Sequence, residues 1–268
     1  SVSTTTASSI QDSTFPMVYL QVGESFINPL HGYSSELNSS TVRESITPLD
    51  TGKTFAVNIA ENDSKIKKLS YELRDIANNK SIETGDITAF DKNKKYKVAT
   101  VHLKEAMDTS TEYGFCMTLI TNYSKKIHFY TRIKYYDNDF FLSKKLDFVA
   151  KFHAATFDQG RSLDLSQYLE SGTNDDSSYE SVDIHSSRKL ITWGKLKPKR
   201  LTDVVPTVKE LNIETAAISQ TYFVSATTAS GSETYQVKEF YRVRYSGGRI
   251  YLLYFKRTME AIFDPSLI

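Results

Sequence analysis

Apolar and polar residues alternate with period two along much of this chain. FAVNI (Phe55–Ile59), LSYEL (Leu69–Leu73), YKVATVHL (Tyr96–Leu103), YGFCMTLIT (Tyr113–Thr121) and KIHFYTRIKYY (Lys126–Tyr136) each gather their larger apolar side chains on one side of an extended segment. Polar turn material such as NNKS and DKNKK separates these runs. The pattern predicts short antiparallel strands stacked as a β-sandwich over residues 15–138. The period then changes. Leu146, Val149, Ala150 and His153 recur at helical spacing, Leu142, Phe152 and Phe157 widen the stripe, and Ser143 is the predicted N-cap. A second short helix is predicted over LDLSQYLES (Leu163–Ser171). Strands resume in VDIHS, KLITWGKLK, VPTVKEL, TAAISQTYFVSATT, TYQVKEFYRVRYS and RIYLLYFKR. Residues 139–268 therefore read as an α+β domain whose sheet curls around its helices.

The last two of these strands form a hairpin, because Ser246-Gly247-Gly248 supplies the positive φ that a tight turn needs. On the first strand, Tyr235, Val237, Glu239, Tyr241, Val243 and Tyr245 share the face expected to be the core. Lys238, Phe240, Arg242 and Arg244 fall on the other, as a basic stripe facing out. The second strand, with Ile250, Leu252 and Tyr254 alternating with Tyr251, Leu253 and Phe255, is expected to be covered on both faces. Glu239 is the exception, a carboxylate pointing inward among tyrosines. Two readings follow. Burial in an apolar cone raises a carboxyl pKa and makes it a candidate general base; alternatively, Glu239 is paired with an arginine or capped by a tyrosine hydroxyl. No second acid or histidine is placed beside it by sequence. Candidate binding residues are Trp193, the only tryptophan, with Tyr241, Arg242 and Arg244. For the arginines the competing use is a solvated sheet face, and for Trp193 a core anchor.

Composition narrows the function classes. The chain of 268 residues carries a net charge of +1, with Lys/Arg and Asp/Glu balanced in both halves, so no electrostatic footprint for nucleic acid or an anionic membrane surface is expected. Its single cysteine, Cys116, excludes an internal disulfide and a multi-thiolate metal site. The five histidines have no metal-ligand spacing, and no cofactor is implied. The sequence GKT at Gly52–Thr54 lacks the upstream glycine of a phosphate-binding loop and leads into a strand rather than a helix. The acidic loop Asn174–Asp176 lacks the spacing of a calcium loop. The opening SVSTTTASSIQDST (residues 1–14) is Ser/Thr-rich and without periodicity, which predicts a flexible tether. Such a tether commonly follows a membrane anchor or lipoprotein signal; a plain domain linker is the other reading.

Two resemblances add to this. In MDTSTEY (Met107–Tyr113) the spacing of Met107 and Tyr113 resembles the tyrosine corner of fibronectin type III and other immunoglobulin-like sandwiches. There a tyrosine hydroxyl bonds to upstream backbone; here Thr109 replaces the usual Pro and Met107 the usual Leu. The order of elements from residue 139, an initial helix and then three long final strands, resembles the NTF2-like superfamily. That resemblance implies either a ketosteroid-isomerase-like enzyme, with Glu239 as base, or a non-catalytic module of the bacterial cell envelope. The function expected is an extracytoplasmic binding or scaffold module of a membrane-tethered bacterial protein, with envelope or surface proteins as partners and the membrane reached only through an N-terminal anchor. A surface adhesin or glycan-binding module, using Tyr135 and Tyr136 as stacking surfaces, is the third reading.

Overall fold

The structure is a computed structural model and describes residues 15–109, 111–170 and 178–263. The Ser/Thr-rich opening and the acidic loop at Asn174–Asp176 lie outside the described residues. The chain divides into two compact units between Asp139 and Phe140.

The first unit contains β1 (Met17–Val22), β2 (Ser25–Leu30), β3 (Ile46–Leu49), β4 (Thr54–Ala60), β5 (Ile66–Asp75), β6 (Lys80–Ile87), β7 (Asp91–Asn93), β8 (Tyr96–His102), β9 (Glu112–Thr121) and β10 (Lys126–Tyr135). They make two five-stranded sheets, ordered β2-β1-β4-β8-β7 and β3-β10-β9-β5-β6. All pairings are antiparallel except β3 with β10, which is parallel. The alternation in β4 buries Phe55, Val57 and Ile59, and that in β9 buries Phe115, Met117 and Leu119. Phe55 meets Phe115 edge-on at 5.2 Å, so the inner faces of the two sheets share one core and the unit is β-sandwich-like. Buried polar side chains join the sheets along one side. Asn28 on β2 donates to the Ile46 carbonyl at 2.9 Å and to Thr47 Oγ1 at 3.0 Å on β3, and Thr47 in turn bonds Thr131 on β10.

The second unit opens with α1 (Leu142–Phe157), followed by a single 3-10 turn at Leu165–Gln167. Then come β11 (Ser181–Asp183), α2 (Arg188–Ile191), β12 (Lys199–Arg200), β13 (Thr207–Leu211), β14 (Thr215–Thr228), β15 (Gly231–Ser246) and β16 (Arg249–Ile262). One antiparallel sheet runs β11-β16-β15-β14-β12, with β13 also paired to β14. Helix α1 packs on one face of it, Phe152 contacting both Tyr241 and Phe255.

Several expectations are corrected here. KLITW is not a strand: Ser187 caps Leu190 N–H, and the chain makes the short helix α2. The helix predicted over LDLSQYLES shrinks to one 3-10 turn, held by Asp164 accepting from Ser166. Helix α1 does not use Ser143 as its cap. The cap position is Phe141, and both Phe140 and Phe141 are left-handed, at φ 59° and 54°. That conformation is unfavourable for a bulky residue. Two contacts offset it: Lys145 Nζ donates to the Phe140 carbonyl at 2.7 Å, and Phe141 packs against Tyr245 at 5.0 Å. The buried stripe of α1 is also rotated from the predicted one, with Ala150 exposed and Lys145 wholly buried.

The bulge in β16 is the last correction. Arg242 pairs with Tyr254 but Val243 with Leu252, leaving Leu253 as an extra residue. Tyr251 and Leu253 are 36% and 41% exposed, so β16 is not covered on both faces.

Candidate functional site

Several buried polar side chains of the second unit meet around Glu239. Strand alternation turns Glu239 and Tyr241 of β15 inward, and register places Gln220 of β14 and Arg257 of β16 directly beside Glu239. On α1, His153 faces the same point. Glu239 is 1% exposed, so every lone pair must be used within the protein. Its Oε1 accepts from His153 Nδ1 at 2.9 Å, from Gln220 Nε2 at 2.7 Å and from Tyr241 Oη at 2.7 Å. Its Oε2 accepts from Tyr222 Oη, with His153 Nδ1 at 3.1 Å. Four side chains thus donate to one carboxylate.

On the far side of the imidazole, Arg200 Nη1 lies 3.1 Å from His153 Nε2, while Nδ1 faces Glu239. Arg257 is fully buried too. Its guanidinium lies flat on Trp193, 3.4 Å from the ring centroid, and donates to the Ile191 and Leu190 carbonyls at 2.7 and 3.1 Å. It supplies the buried positive charge next to the carboxylate, one strand away.

These contacts determine what Glu239 can do. Burial alone pushes its carboxyl pKa up, but attraction to the His153 ring and the hydrogen bonds from His153, Tyr222 and Tyr241 prevail and hold it at about 2. The raised pKa required of a general base is reversed. The cone is also filled: Phe157, Tyr222 and Trp193 pack together over it. Glu239 is an ionised structural acceptor, capped by tyrosine hydroxyls. Burial and the neighbouring carboxylate push both Tyr222 and Tyr241 well above the ordinary tyrosine range, so both remain donors.

Of the other candidates, Tyr241 belongs to this network and Trp193, 1% exposed, is a core side chain under Arg257. Arg242 and Arg244 stand apart from both, exposed on the opposite face of the sheet. His153, Gln220, Tyr222, Arg200 and Arg257 carry the network and were not singled out as its members by sequence. A signal existed for one pairing. His153 and Glu239 each lie on an inward-facing apolar surface, and two buried polar groups in a small domain are each other's obvious partners. Among the described residues, no group of three or more His, Cys, Asp or Glu side chains is placed to hold a metal ion.

An open groove of about 610 Å³ runs between α1, the 3-10 turn and the β15–β16 turn. Lys144, Lys151, Tyr168 and Tyr245 line it, with Phe148 and Leu252, and Arg249 and Tyr251 border it at the edge of β16. Its walls mix cations and aromatic rings with the carboxylates of Asp147 and Glu170, and Asp147 pairs with Lys151 at 2.8 Å. Compared with protein-family models and with curated proteins, the chain matches none.

Proposed function

We propose that this chain is a non-catalytic binding or scaffold module from the extracytoplasmic side of a membrane-tethered bacterial protein, combining an immunoglobulin-like sandwich with an NTF2-like α+β domain. The observation that carries it is the saturation of Glu239. Among the described residues, the one fully buried carboxylate of the second unit's sheet is ionised, surrounded by donors and sealed by side chains, whereas the acids of the open groove are exposed, Asp147 being paired with Lys151 at 2.8 Å. A groove of that size lined by tyrosines and long cations suits a segment of a partner protein.

Strand order supports the first fold assignment. The neighbours β1-β4-β8-β7 and β10-β9-β5 follow the A-B-E-D and G-F-C order of immunoglobulin-like domains. Tyr113, at the start of β9, accepts from the Asp108 N–H at 2.7 Å, which is the bond a tyrosine corner makes. The second assignment is supported by one long helix lying on a sheet whose last three strands are consecutive neighbours. The compartment rests on the Ser/Thr-rich composition of residues 1–14.

A photoreactive residue placed at Lys151 or Tyr168 of the full-length protein, in the cells that make it, tests the groove. Capture of one discrete protein is expected, together with digestion of this body by protease added to intact cells. Protection until lysis overturns the compartment, and empty crosslinks at both positions overturn the groove. A glycan-binding reading has one observation in its favour, at a different place from the tyrosines first considered. Tyr19, Phe26 and Tyr96 cluster at 5.6–5.7 Å on the outward face of the first sheet, half-buried. Tyr135 instead lies under Lys53.

A further inference from the structure

The face of the β14–β16 sheet opposite α1 is the most unusual surface of the second unit. Register sets its rows: Lys238 beside Thr258, Phe240 beside Lys256, Arg242 beside Tyr254 and Arg244 beside Tyr251. The bulge at Leu253 makes the last row possible. Without it, Tyr251 and Arg249 would point into the core. With it, both join the outward face, and Leu253 itself stands out from the strand. The neighbouring residues of β14 on this face, Thr215, Ala217, Ser219 and Thr221, are small and leave it flat.

Five cations therefore share this face: Lys238, Arg242, Arg244, Arg249 and Lys256, all exposed. Among the described residues none of them forms an ion pair. The partners of Arg244 and Arg249 are not carboxylates but the ring of Tyr251, with guanidinium carbons 4.8 and 5.5 Å from its centroid. Three carboxylates share the face by register, Asp183 beside Lys256, Glu210 beside Ala217 in the row of Arg242, and Glu260 beside Gln236, so the excess of positive charge lies at the β15–β16 turn end, where Arg242, Arg244 and Arg249 gather around Tyr251. Beside these arginines are an exposed leucine and an exposed tyrosine.

We propose that this face docks on an anionic phospholipid surface. Leu253 and Tyr251 enter the headgroup layer, and Arg242, Arg244 and Arg249 around them meet the lipid phosphates. Each element has a physical reason. Arginines and lysines within reach of an anionic leaflet are attracted to it. Tyrosine settles at the boundary between water and hydrocarbon. A projecting aliphatic side chain adds apolar burial that charge alone does not give. The same three features disfavour other occupants. A second copy meeting turn end to turn end would bring Arg242, Arg244 and Arg249 against the same three arginines. A single-stranded nucleic acid needs flat rings for its bases, whereas the most exposed large apolar residue of β15 and β16 is Leu253, and Phe240 and Tyr254 are half-buried against each other at 6.2 Å. This docking departs from the expectation that the membrane is reached only through an anchor. It also needs no partner in the groove, so a groove that captures nothing leaves it standing.

Flotation of the purified chain with vesicles tests it. Binding is expected to vesicles containing about one third phosphatidylglycerol and not to phosphatidylcholine alone, and it weakens as salt rises. The paired change Arg242→Glu and Arg244→Glu weakens it about tenfold or more. Leu253→Ser, which leaves every charge in place, weakens it several-fold; a purely electrostatic polyanion contact would not register that change. All three positions are exposed, and a thermal melt followed by circular dichroism verifies that the variants fold. Equal flotation with both lipids, indifference to the charge reversals, or indifference to Leu253→Ser overturns the proposal. So does tight binding of an oligothymidylate without vesicle binding, which would assign the face to nucleic acid instead.

Discussion

Replacing Glu239 by Gln keeps the side chain's size and removes its charge. A glutamine can retain much of the geometry: its carbonyl can occupy the place of Oε1, facing His153, Gln220 and Tyr241, while Tyr222 turns its hydroxyl to accept from the new amide. What is lost is ionic character. Hydrogen bonds to a charged acceptor contribute about 1.5–3 kcal/mol against about 0.5–1.5 for neutral ones, so four such bonds weaken by roughly 4 kcal/mol in all. Arg257, fully buried and directly across the sheet, also loses its counter-charge. A loss of about 3–5 kcal/mol is expected, in line with breaking a buried ion pair by changing one partner. Urea unfolding followed by tryptophan fluorescence measures it directly, since Trp193 is the sole tryptophan and lies against Arg257. The paired variant Arg257→Met supplies the control. In the Glu239→Gln background it should cost at least about 2 kcal/mol less than in the parent, because the charge it removes is already uncompensated. A loss below about 1 kcal/mol for Glu239→Gln, or strict additivity of the two changes, would refute the argument that Glu239 is a structural anion.

Three further outcomes are expected. The Glu239 carboxyl is held at about 2 in the fold against an ordinary 4.5, so its contribution is complete above about pH 4.5 and is lost as pH falls toward 2, on the order of 3 kcal/mol in total. Acid titration of the Trp193 signal should show that slope, and Glu239→Gln should flatten it. Tyr113→Phe removes the acceptor of the Asp108 N–H and should destabilise the first unit by about 1–2 kcal/mol, leaving the transition seen by Trp193 unchanged. Cys116 has its thiol pushed up to about 11 by burial, so at pH 8 the folded protein should react with an aromatic disulfide reagent about a hundredfold more slowly than free cysteine, and at the free rate in denaturant.

How far the fold is legible in the sequence depends on whether burial is one-sided. Strands β4, β5, β8, β9, β14 and β15 each show enough alternation to be read directly, because one face meets a core and the other is more open, while β10 and β16 read as strands from their apolar and aromatic runs. β6, KSIETGDI, has only exposed and half-buried residues, so it carries no alternation to read; it exists because β5 pairs with it. KLITW reads as a strand from its apolar residues. It becomes helical because Ser187 caps the turn and because the carbonyls of Leu190 and Ile191 are the acceptors that buried Arg257 requires. The bulge at Leu253 is invisible to any pattern, since β16 is apolar at both parities there. Of the Glu239 network, the inward carboxylate was readable from its strand, while its histidine and its tyrosine at 222 depend on how α1 and β14 come together.

A histidine, a carboxylate and two tyrosines within hydrogen-bond reach resemble an active site, and the distinction rests on where the unused valences go. In a catalytic dyad one lone pair or one proton is left for a substrate. Here His153 spends Nδ1 on Glu239 and Nε2 on Arg200, and Glu239 accepts four donors. The same economy recurs at two other buried cations. Lys145 gives its protons to the carbonyls of Phe140, Asn212 and Ile213, holding the entry of α1 to the turn between β13 and β14. Arg257 joins β16 to α2. Each polar group ties an element that the hydrophobic effect, being non-directional, would leave free to slide. One 16-residue helix on a long, twisted sheet has few geometric constraints of its own, and these three anchors fix its start, its middle and the far side of the sheet. The interior is then committed to holding shape. The groove beside the helix and the basic face behind it lie outside these anchors, on the surface.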